Sequence, residues 1–560
     1  MTNAVPPGII FLLGALLIPL IRPRVLKQAY LLLVPLITFL DILKLKPGVS
    51  WTYKFLEYEL IFSRVDRLSL CVGYVFVIIG LFAIIYALHV KEDGQHVAAF
   101  MYVGSSLGVV FAGDLFTIFF FWEIMAATSV FLIWYSRSKE SLDAGYRYLL
   151  VHILGGCCLL AGIIIHVAAT GSITVGPTGG GLSYWLMMLG FGLNAAFIPL
   201  HTWLPDSYPR GTLTGSVFMC VYTTKTGVYV LARYFSNVEF VAYMGVIMCV
   251  YGVVMALMQN DARKLLSYHI ISQVGYMVAG VGIGTELAIN GSIAHVFNHI
   301  LYKGLLFMCM GSVILMTGKR KLSELGGLAK YMPVTCVCCI IASLSISGAP
   351  GFNGYISKGM VILAAVEKHD PFLELMMLLA AVGTFLSFVK LCYYTFFAEN
   401  KAIKAKESPW NMQIAMILTA FSCVLIGVYP QVLYGVLPYA GVESYYHAYT
   451  ADHVMGIVQL FLFAGLVFML AKKFFDPHNV LVLDLDYFYR LGGRAIAWSC
   501  DKILSNLRIA VQASATKFRV SLVNLGDNPS LGPKRRPVGM GAGWAIIFLF
   551  IFGLIYMSVG

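Results

Sequence analysis

Apolar runs long enough to cross a lipid bilayer recur along almost the whole chain. Of its 560 residues, 59% are hydrophobic and only 12% are charged, and the mean hydropathy is +0.82. A soluble globular domain carries about 25% charged residues. The sequence therefore predicts an all-α polytopic membrane protein.

The number of spans follows from the length of the apolar runs. A spanning helix needs about 20 apolar residues, and that window gives roughly sixteen spans. They are predicted near residues 8–22, 28–45, 69–89, 97–112, 114–134, 147–168, 182–205, 211–233, 240–258, 266–284, 289–317, 333–366, 374–397, 410–430, 455–473 and 542–559. The residues before the first run lack the basic region of a cleaved signal peptide, so we expect this run to remain as a membrane helix.

Basic residues in the loops predict the orientation. The loops after spans one, five, eleven and fifteen are rich in Lys and Arg, whereas the Gly-rich stretch 171–181 has none. We therefore expect an external N-terminus and cytoplasmic basic loops. The net charge of +12 is explained by these loops, because no arginine-rich patch interleaved with aromatic residues indicates nucleic acid.

Two spans contain helix breakers. Span seven contains Pro199 and ends at Pro205, and span twelve contains Gly348, Pro350 and Gly351. Proline removes a helix hydrogen bond and glycine is a poor helix former. Irregular backbone at membrane depth persists only against protein or a water-filled cavity, and paired broken helices are typical of transporters. Ordinary kinks are the alternative.

The region after span fifteen alternates apolar and basic residues. Residues 476–540 approximate a helical period with a basic face, as expected of a lateral helix on a membrane surface or partner. A solvated linker is the alternative. Lys534-Arg535-Arg536 would then anchor the last span on the cytoplasmic side.

Four ionisable residues lie inside apolar runs: Glu123, Lys225, Lys303 and Lys358. A charge at bilayer depth costs about 2.5–3.5 kcal/mol, so a chain that carries several such residues is expected to move a charged species. An acid paired with a lysine can exchange a proton when the pair opens. Each residue could instead belong to a static ion pair. Asp114, at the start of span five, is predicted to be interfacial.

His295, His299 and Lys303 are spaced at i, i+4 and i+8, which places them on one stripe of a helix. Imidazole accepts and donates protons at physiological pH, so the stripe predicts a proton ladder. A metal site, a bis-histidine haem and a structural hydrogen-bonded pair are alternatives. We expect no metal and no cofactor, because the twelve cysteines show no ferredoxin-like spacing.

These residues and the motifs around them resemble the antiporter-like subunits of respiratory complex I, membrane-bound hydrogenases and Mrp-type Na⁺/H⁺ antiporters. The resemblance covers about residues 70–400. Its motifs are Phe120-Phe121-Trp122-Glu123, Pro199-Leu200-His201-Thr202-Trp203-Leu204-Pro205-Asp206, Lys225-Thr226-Gly227-Val228-Tyr229, Asn260 to Tyr268, Ser272-Gln273-Val274-Gly275-Tyr276, the histidine stripe, and Ser347 to Phe352 with Lys358.

The resemblance implies two inverted five-helix repeats around a polar axis. Helices 1–3 would occupy residues 1–96, the first repeat (helices 4–8) 97–233, the second (helices 9–13) 234–397, helices 14–15 residues 398–475, a short lateral amphipathic helix and linker 476–540, and an anchoring helix 541–560. By position, Glu123 is the acid of the first repeat, Lys225 and Lys303 are lysines of the axis, and Lys358 is the exit lysine.

One position departs from the family. Asn194 stands where a lysine is usual on the broken seventh helix. Glu123 must then pair with Lys225 or with another group, or the first half-channel works differently. The Asn194 amide oxygen could instead bind Na⁺ together with Glu123. His201 and His269 are additional candidate residues.

The expected function is ion translocation, of H⁺ alone or in exchange for Na⁺, by a membrane subunit of a complex I-like, hydrogenase-like or Mrp-type complex. Its partners would be other hydrophobic subunits and, in a redox complex, peripheral redox subunits. A self-sufficient antiporter, an inactive scaffold and a haem-bearing electron carrier are the alternatives.

Overall fold

Helices make up most of the protein in a computed structural model that describes residues 5–174, 180–399, 403–478 and 482–526. In the first half they are α1 (Pro7–Leu17), α2 (Arg24–Ile42), α3 (Arg67–Ala87), α4 (Asp93–Phe111), α5 (Leu115–Trp134), α6 (Lys139–Thr170), α7 (Leu182–Asn194), α8 (Trp203–Ser207), α9 (Leu213–Met219), α10 (Thr223–Tyr234) and α11 (Glu239–Leu257). The second half contains α12 (Ala262–Ile283), α13 (Glu286–Thr317), α14 (Pro333–Ser347), α15 (Asn353–Glu367), α16 (Pro371–Cys392), α17 (Trp410–Val428), α18 (Gln431–Tyr434), α19 (Ala451–Leu470), α20 (Lys472–Phe475) and α21 (Asp486–Gly526).

Nine of the described helices are long and apolar enough to cross a membrane. They are α2, α3, α5, α6, α11, α13, α16 with the turn that continues it, α17 and α19. The prediction of a mostly helical, multi-pass membrane protein is confirmed. The predicted last span at 542–559 and its basic anchor, residues 534–536, lie outside the described residues.

Three helical stretches are interrupted. The segment between α7 and α8 contains Pro199, and the segment between α14 and α15 begins at Gly348, whose φ of +86° is left-handed. A proline or glycine marked both positions in the sequence. The third interruption separates α9 from α10 at residues 220–222. Its sequence, Cys-Val-Tyr, contains no proline or glycine that would predict it.

A β-hairpin occupies the segment between α2 and α3, where the sequence predicted no element. Strands β1 (Gly48–Phe55) and β2 (Tyr58–Val65) pair antiparallel, with Phe55 opposite Tyr58. Asp114 at the N-cap of α5 accepts a 2.6 Å hydrogen bond from the Ile61 amide of β2. The hairpin thereby fixes the start of the helix that carries Glu123.

The helix in the C-terminal region is longer than predicted. We expected a short amphipathic helix with a linker, whereas α21 is a single helix of 41 residues. No proline lies between residues 486 and 526, and the adjacent Gly492 and Gly493 do not interrupt the helix. α21 belongs to a separate compact unit that begins at Tyr487.

Helices α11 and α12 pack backbone to backbone through glycine. A Cβ atom on Gly245 would lie 2.3 Å from the Ala279 amide nitrogen, and one on Gly275 would lie 2.5 Å from the Gly245 carbonyl oxygen. Membrane helices associate closely through such small residues because lipid supplies no hydrophobic force between them.

Asp66 joins the start of α3 to α10. Its Oδ1 accepts from the Ser69 amide in a capping box, and its two carboxylate oxygens accept from Nη1 and Nη2 of Arg233 at 2.6 and 2.8 Å. Burial acts to raise the pKa of Asp66, but hydrogen bonding and charge from Arg233 outweigh it and lower this pKa.

Replacing Asp66→Asn should lower the melting temperature measured by scanning fluorimetry. The variant leaves the buried Arg233 charge without its carboxylate partner, a loss of about 2 kcal/mol or more, while the asparagine oxygen can still cap the helix. Because the pKa of Asp66 is lowered on folding, its stabilisation is present at neutral pH, and the difference between wild type and variant should shrink as the pH falls below about 4.

Glu92→Gln is the matched control. Glu92 pairs with Arg137 at 2.7 Å, but the Arg137 side chain is 70% exposed, so this pair should contribute less than about 1 kcal/mol. Equal melting temperatures for the two variants would contradict the role given to Asp66.

Candidate functional site

The predicted stripe of ionisable residues is present on α13. His295, His299 and Lys303 all lie on this 32-residue helix, and each is fully buried. The ring centroids of the two histidines are 6.2 Å apart. The stripe therefore forms a column of proton-binding groups enclosed by protein.

One end of this column is hydrogen-bonded and the other is not. His295 Nδ1 lies 3.0 Å from the Ser357 hydroxyl and Nε2 lies 3.3 Å from the Tyr302 hydroxyl. Among the described residues, neither ring nitrogen of His299 has a hydrogen-bond partner, and Lys303 Nζ has no acceptor. Unsatisfied buried polar groups are costly and rare, and here two lie four residues apart.

His269 extends the column from α12. Its side chain is fully buried, and neither ring nitrogen has a hydrogen-bond partner among the described residues. The His269 ring centroid lies 4.7 Å from that of Phe388, and Lys303 Nζ lies 5.5 Å from the same ring. The face of an aromatic ring attracts a cation, so Phe388 is a ring partner for the Lys303 ammonium.

Lys358 lies at the interruption between α14 and α15. Its Nζ donates a 2.7 Å hydrogen bond to the Ile346 carbonyl in the last turn of α14 and lies 5.1 Å from the Tyr276 ring centroid. The last carbonyls of a helix lack intrahelical donors and carry the negative end of its dipole. The broken helix therefore supplies the partner for this cation.

A cavity of about 580 Å³ opens beside Lys358, between α15, α16 and α19. His453 lies on its wall and stacks on Tyr355, with 4.6 Å between the ring centroids. The cavity reaches Asp452 at the start of α19. Lys358 is thus enclosed by protein on most sides and faces this open space on another.

Lys225 has the same kind of environment in the first half of the chain. It lies near the start of α10, is fully buried, and donates from Nζ to the Cys220 carbonyl and, at 3.1 Å, to the Thr224 hydroxyl. The Cys220 carbonyl belongs to the interruption that follows α9. Lys225 and Lys358 are therefore both held by backbone carbonyls of interrupted helices.

Glu123 on α5 is half-buried, and its Oε1 atom has no hydrogen-bond partner among the described residues. No basic group described in the structure lies within 4.0 Å of its carboxylate, so the suggested Glu123–Lys225 ion pair is absent here. Space for the carboxylate comes from α6, because a Cβ atom on Gly156 would lie 2.1 Å from Oε1.

Asn194 is the last residue of α7 and is 1% exposed. Neither atom of its side-chain amide has a hydrogen-bond partner among the described residues. Gly227 of α10 lies against its backbone, since an added Cβ would be 3.1 Å from the Asn194 carbonyl carbon. The position that departs from the family pattern is thus a buried, unsatisfied amide near the start of the interruption.

Buried basic residues that we did not single out lie on α12 and α16. Lys390 Nζ donates to the Leu257 and Gln259 carbonyls at 2.7 and 3.2 Å, and Arg263 Nη2 donates to the Gly211 carbonyl at 3.1 Å. Lys390 lies in an apolar run, as the four selected residues do, so the same criterion would have found it. Arg263 follows an N-cap at a loop, where an arginine gives no such signal.

The chain is similar in sequence to known membrane proteins. Residues 112–387 match the family described as NADH:quinone oxidoreductase/Mrp antiporter, TM. An uncharacterized protein of Methanocaldococcus jannaschii is 31% identical over 59% of this chain and 73% of its own length. The hydrogenase-4 component B of Escherichia coli is 26% identical over 69% of this chain and 65% of its own length.

A sodium–proton antiporter also has a related chain. One Na⁺/H⁺ antiporter subunit of Alkalihalophilus pseudofirmus is 27% identical over 72% of this chain, which spans only 56% of that relative.

The fold is also found in a solved complex. A chain of the membrane-bound sulfane sulfur reductase, an archaeal respiratory membrane complex, superposes with a TM-score of 0.73 and 23% identity over 99% of this chain and 100% of its own length. With its sequence relatives, its helical fold and its buried lysines and histidines, the chain belongs to the NADH:quinone oxidoreductase/Mrp antiporter transmembrane family.

Proposed function

We propose that the chain is the proton-translocating subunit of a multisubunit membrane complex. The observation that carries the proposal is the α13 column, in which His299 and Lys303 are buried without hydrogen-bond partners among the described residues. A structural histidine or lysine would be satisfied by neighbouring groups. Groups left open at membrane depth are instead expected where a transient proton or water completes them. The family of the chain supports the same function.

The proposed route runs along α13 and ends at Lys358. At the His295 end, the Ser357 and Tyr302 hydroxyls lie within 3.0 and 3.3 Å of the two ring nitrogens, and a hydroxyl both donates and accepts. A neutral imidazole binds a proton on one nitrogen and releases one from the other. His299, Lys303 and His269 would continue the route toward the other membrane surface.

Glu123 and Lys225 would serve the first half of the chain. Each is separately placed, Glu123 against Gly156 and Lys225 on the Cys220 carbonyl, so any proton between them must pass through intermediate groups or water. The interruptions at α7–α8 and α14–α15 support the proposal of two inverted repeats within sixteen spans, with the domain limits expected above.

The complex, its membrane and its partners are part of the proposal. One relative belongs to a Na⁺/H⁺ antiporter and the structural neighbour comes from a respiratory complex, so both an Mrp-type and a redox-driven complex fit. We propose a prokaryotic cell membrane, an external N-terminus and hydrophobic partner subunits, with peripheral redox subunits in the second case. The redox energy would come from those partners.

The composition of the native complex distinguishes these cases. Extraction in mild detergent should yield the chain together with other subunits, identified by mass spectrometry. Iron–sulfur subunits would assign it to a redox complex, and small hydrophobic subunits without them would assign it to an Mrp-type antiporter. Recovery of the chain by itself, with full transport activity, would contradict the proposal and favour a self-sufficient antiporter.

Replacing Lys303→Ala or Lys358→Ala should reduce proton translocation by the reconstituted complex about tenfold or more, as expected for loss of a proton-transferring group. Lys319→Ala is the control, because the Lys319 side chain is 49% exposed and lies in a loop. The measurement is acidification of liposomes reported by a pH-sensitive dye. Full activity of the complex with either Lys303→Ala or Lys358→Ala would support the alternative that this chain is an inactive scaffold.

Gly156→Ala should impair transport without preventing assembly. The added Cβ would lie 2.1 Å from Glu123 Oε1, and the carboxyl is the flexible end of its side chain, so it moves aside while α6 keeps its place. We expect a loss of translocation that approaches that of Glu123→Gln. Gly465→Ala is the control, since no atom lies within 4 Å of a Cβ added there and this residue does not line the cavity beside Lys358. Equal activities of the two variants would show that the position of the Glu123 carboxyl is unimportant.

Na⁺ exchange at Glu123 and Asn194 is a second candidate activity, favoured by two buried groups that lack partners in the described residues. Asn194→Lys would place a fixed cation there and should abolish the dependence of transport on Na⁺. The measurement is ²²Na⁺ uptake against proton flux in liposomes. Unchanged transport and Na⁺ dependence would eliminate this site.

A further inference from the structure

The chain that follows α20 is attached to the helical bundle by two aspartates. Asp476 accepts a hydrogen bond from the Tyr394 hydroxyl. Eight residues later, Asp484 accepts from the hydroxyls of Tyr251 on α11 and Tyr268 on α12, each at 2.5 Å. Asp484 therefore reaches a position between two helices that precede it by more than 200 residues.

The same carboxylate lies beside His201. This histidine is in the interruption between α7 and α8 and is fully buried, and its Nε2 lies 3.3 Å from Asp484 Oδ1. Its ring packs edge-on against Tyr251, with 4.9 Å between centroids. His201 Nδ1 has no hydrogen-bond partner among the described residues. One nitrogen thus faces a carboxylate and the other is open.

The groups around this pair favour a charged Asp484. Two tyrosine hydroxyls, the Leu485 amide at 2.6 Å and His201 all face its oxygens. Burial acts to raise the pKa of Asp484, but the hydrogen bond and charge of His201 and the bonds from the tyrosines outweigh it and bring this pKa to about 2. The carboxylate is consequently ionised at any physiological pH.

Two further charged groups lie near the tyrosines that donate to Asp484. Asp486 adds a second negative charge near Tyr251 and Tyr268, and Lys264 Nζ lies over the outer side of the Tyr268 ring, 6.0 Å from its centroid. A carboxylate at ion-pair distance favours the protonated imidazole.

We propose that His201 and Asp484 form the proton-uptake pair of the chain, in which His201 binds a proton that arrives from the adjacent aqueous phase and Asp484 is its counter-ion. The Asp484 side chain is 8% exposed and His201 is not exposed at all, so of the two groups only the carboxylate is in contact with solvent. The open Nδ1 is the atom from which the proton continues inward. This inference rests on the proposed proton translocation.

A purely structural role for Asp484 predicts different behaviour. Asp484→Asn retains one oxygen that accepts from one of the two tyrosine hydroxyls, and its NH2 group can donate to the other, so an anchor is largely preserved while the charge is lost. Without the carboxylate no negative charge faces the imidazole at ion-pair distance, so an arriving proton is bound less strongly. The pH profile of proton translocation by the reconstituted complex should then move about one unit toward acid.

Asp476→Asn is the matched control. It removes a charge from the same stretch of chain but contacts Tyr394 and not the histidine, so its profile should coincide with that of the wild type. A wild-type complex that translocates protons, with an unchanged profile in Asp484→Asn, would overturn the proposal. An equal shift in Asp476→Asn would overturn it as well, because the loss of any negative charge from this stretch of chain would then suffice.

A second readout does not depend on transport. Exchange of the imidazole C2 hydrogen in D₂O, followed for each histidine by mass spectrometry on the intact complex, reports protonation of His201 against pH. We expect His201 to exchange, with a midpoint about one unit lower in Asp484→Asn. No exchange at His201, while the exposed His369 exchanges normally, would overturn the uptake role.

The two readouts separate the hypotheses. A complex that moves no protons at all, yet shows the shifted midpoint of His201, would contradict the proposed function and leave the ion pair in place. If the complex moves protons but Asp484→Asn shifts neither readout, the uptake role of His201 and Asp484 would be contradicted and the proposed function would stand.

Discussion

Backbone carbonyls at the ends of helices hold three buried lysines of this protein, and the arrangement of the site depends on them. Lys225 donates to the Cys220 carbonyl, Lys358 to that of Ile346, Lys390 to those of Leu257 and Gln259. A buried charge needs hydrogen bonds or a partner charge, and few acids lie at membrane depth. An interrupted helix provides free carbonyls together with the negative end of its dipole, and the interruptions after α9 and after α14 each hold a lysine in this way.

Two classes of buried polar group result from this arrangement. The lysines on carbonyls are satisfied and fixed, whereas His299, Lys303 and His269 are enclosed without hydrogen-bond partners in the described part of the chain. Proton movement needs both classes, because fixed groups define the ends of a path and open groups accept what passes. The cavity beside Lys358 and the Asp484–His201 pair lie where such a path would meet the surroundings of the bundle.

The sequence allowed several of these features to be predicted from local patterns. The i, i+4, i+8 spacing of His295, His299 and Lys303 requires one stripe on any helix, and α13 has it. The proline and glycine of the seventh and twelfth spans announced their interruptions. By contrast, the interruption at residues 220–222, the β-hairpin and the full length of α21 had no comparable signal, and the predicted short lateral helix was wrong. At residues 220–222 side chains take the place of helix hydrogen bonds, because the Thr223 amide donates to the Tyr102 hydroxyl and the Cys220 carbonyl accepts from Lys225.

Taken alone, the sequence determined the membrane class, the order of the helices and the residues able to carry a proton, because hydropathy, helical period and ionisable side chains are local properties. Only the tertiary structure decided the partners of those residues. Glu123 lies against Gly156 and not in an ion pair with Lys225, and Asp484 meets His201 across 283 positions of the chain. Such contacts depend on how whole helices and their interruptions pack together, and a pattern within one segment carries no information about the segment that will face it.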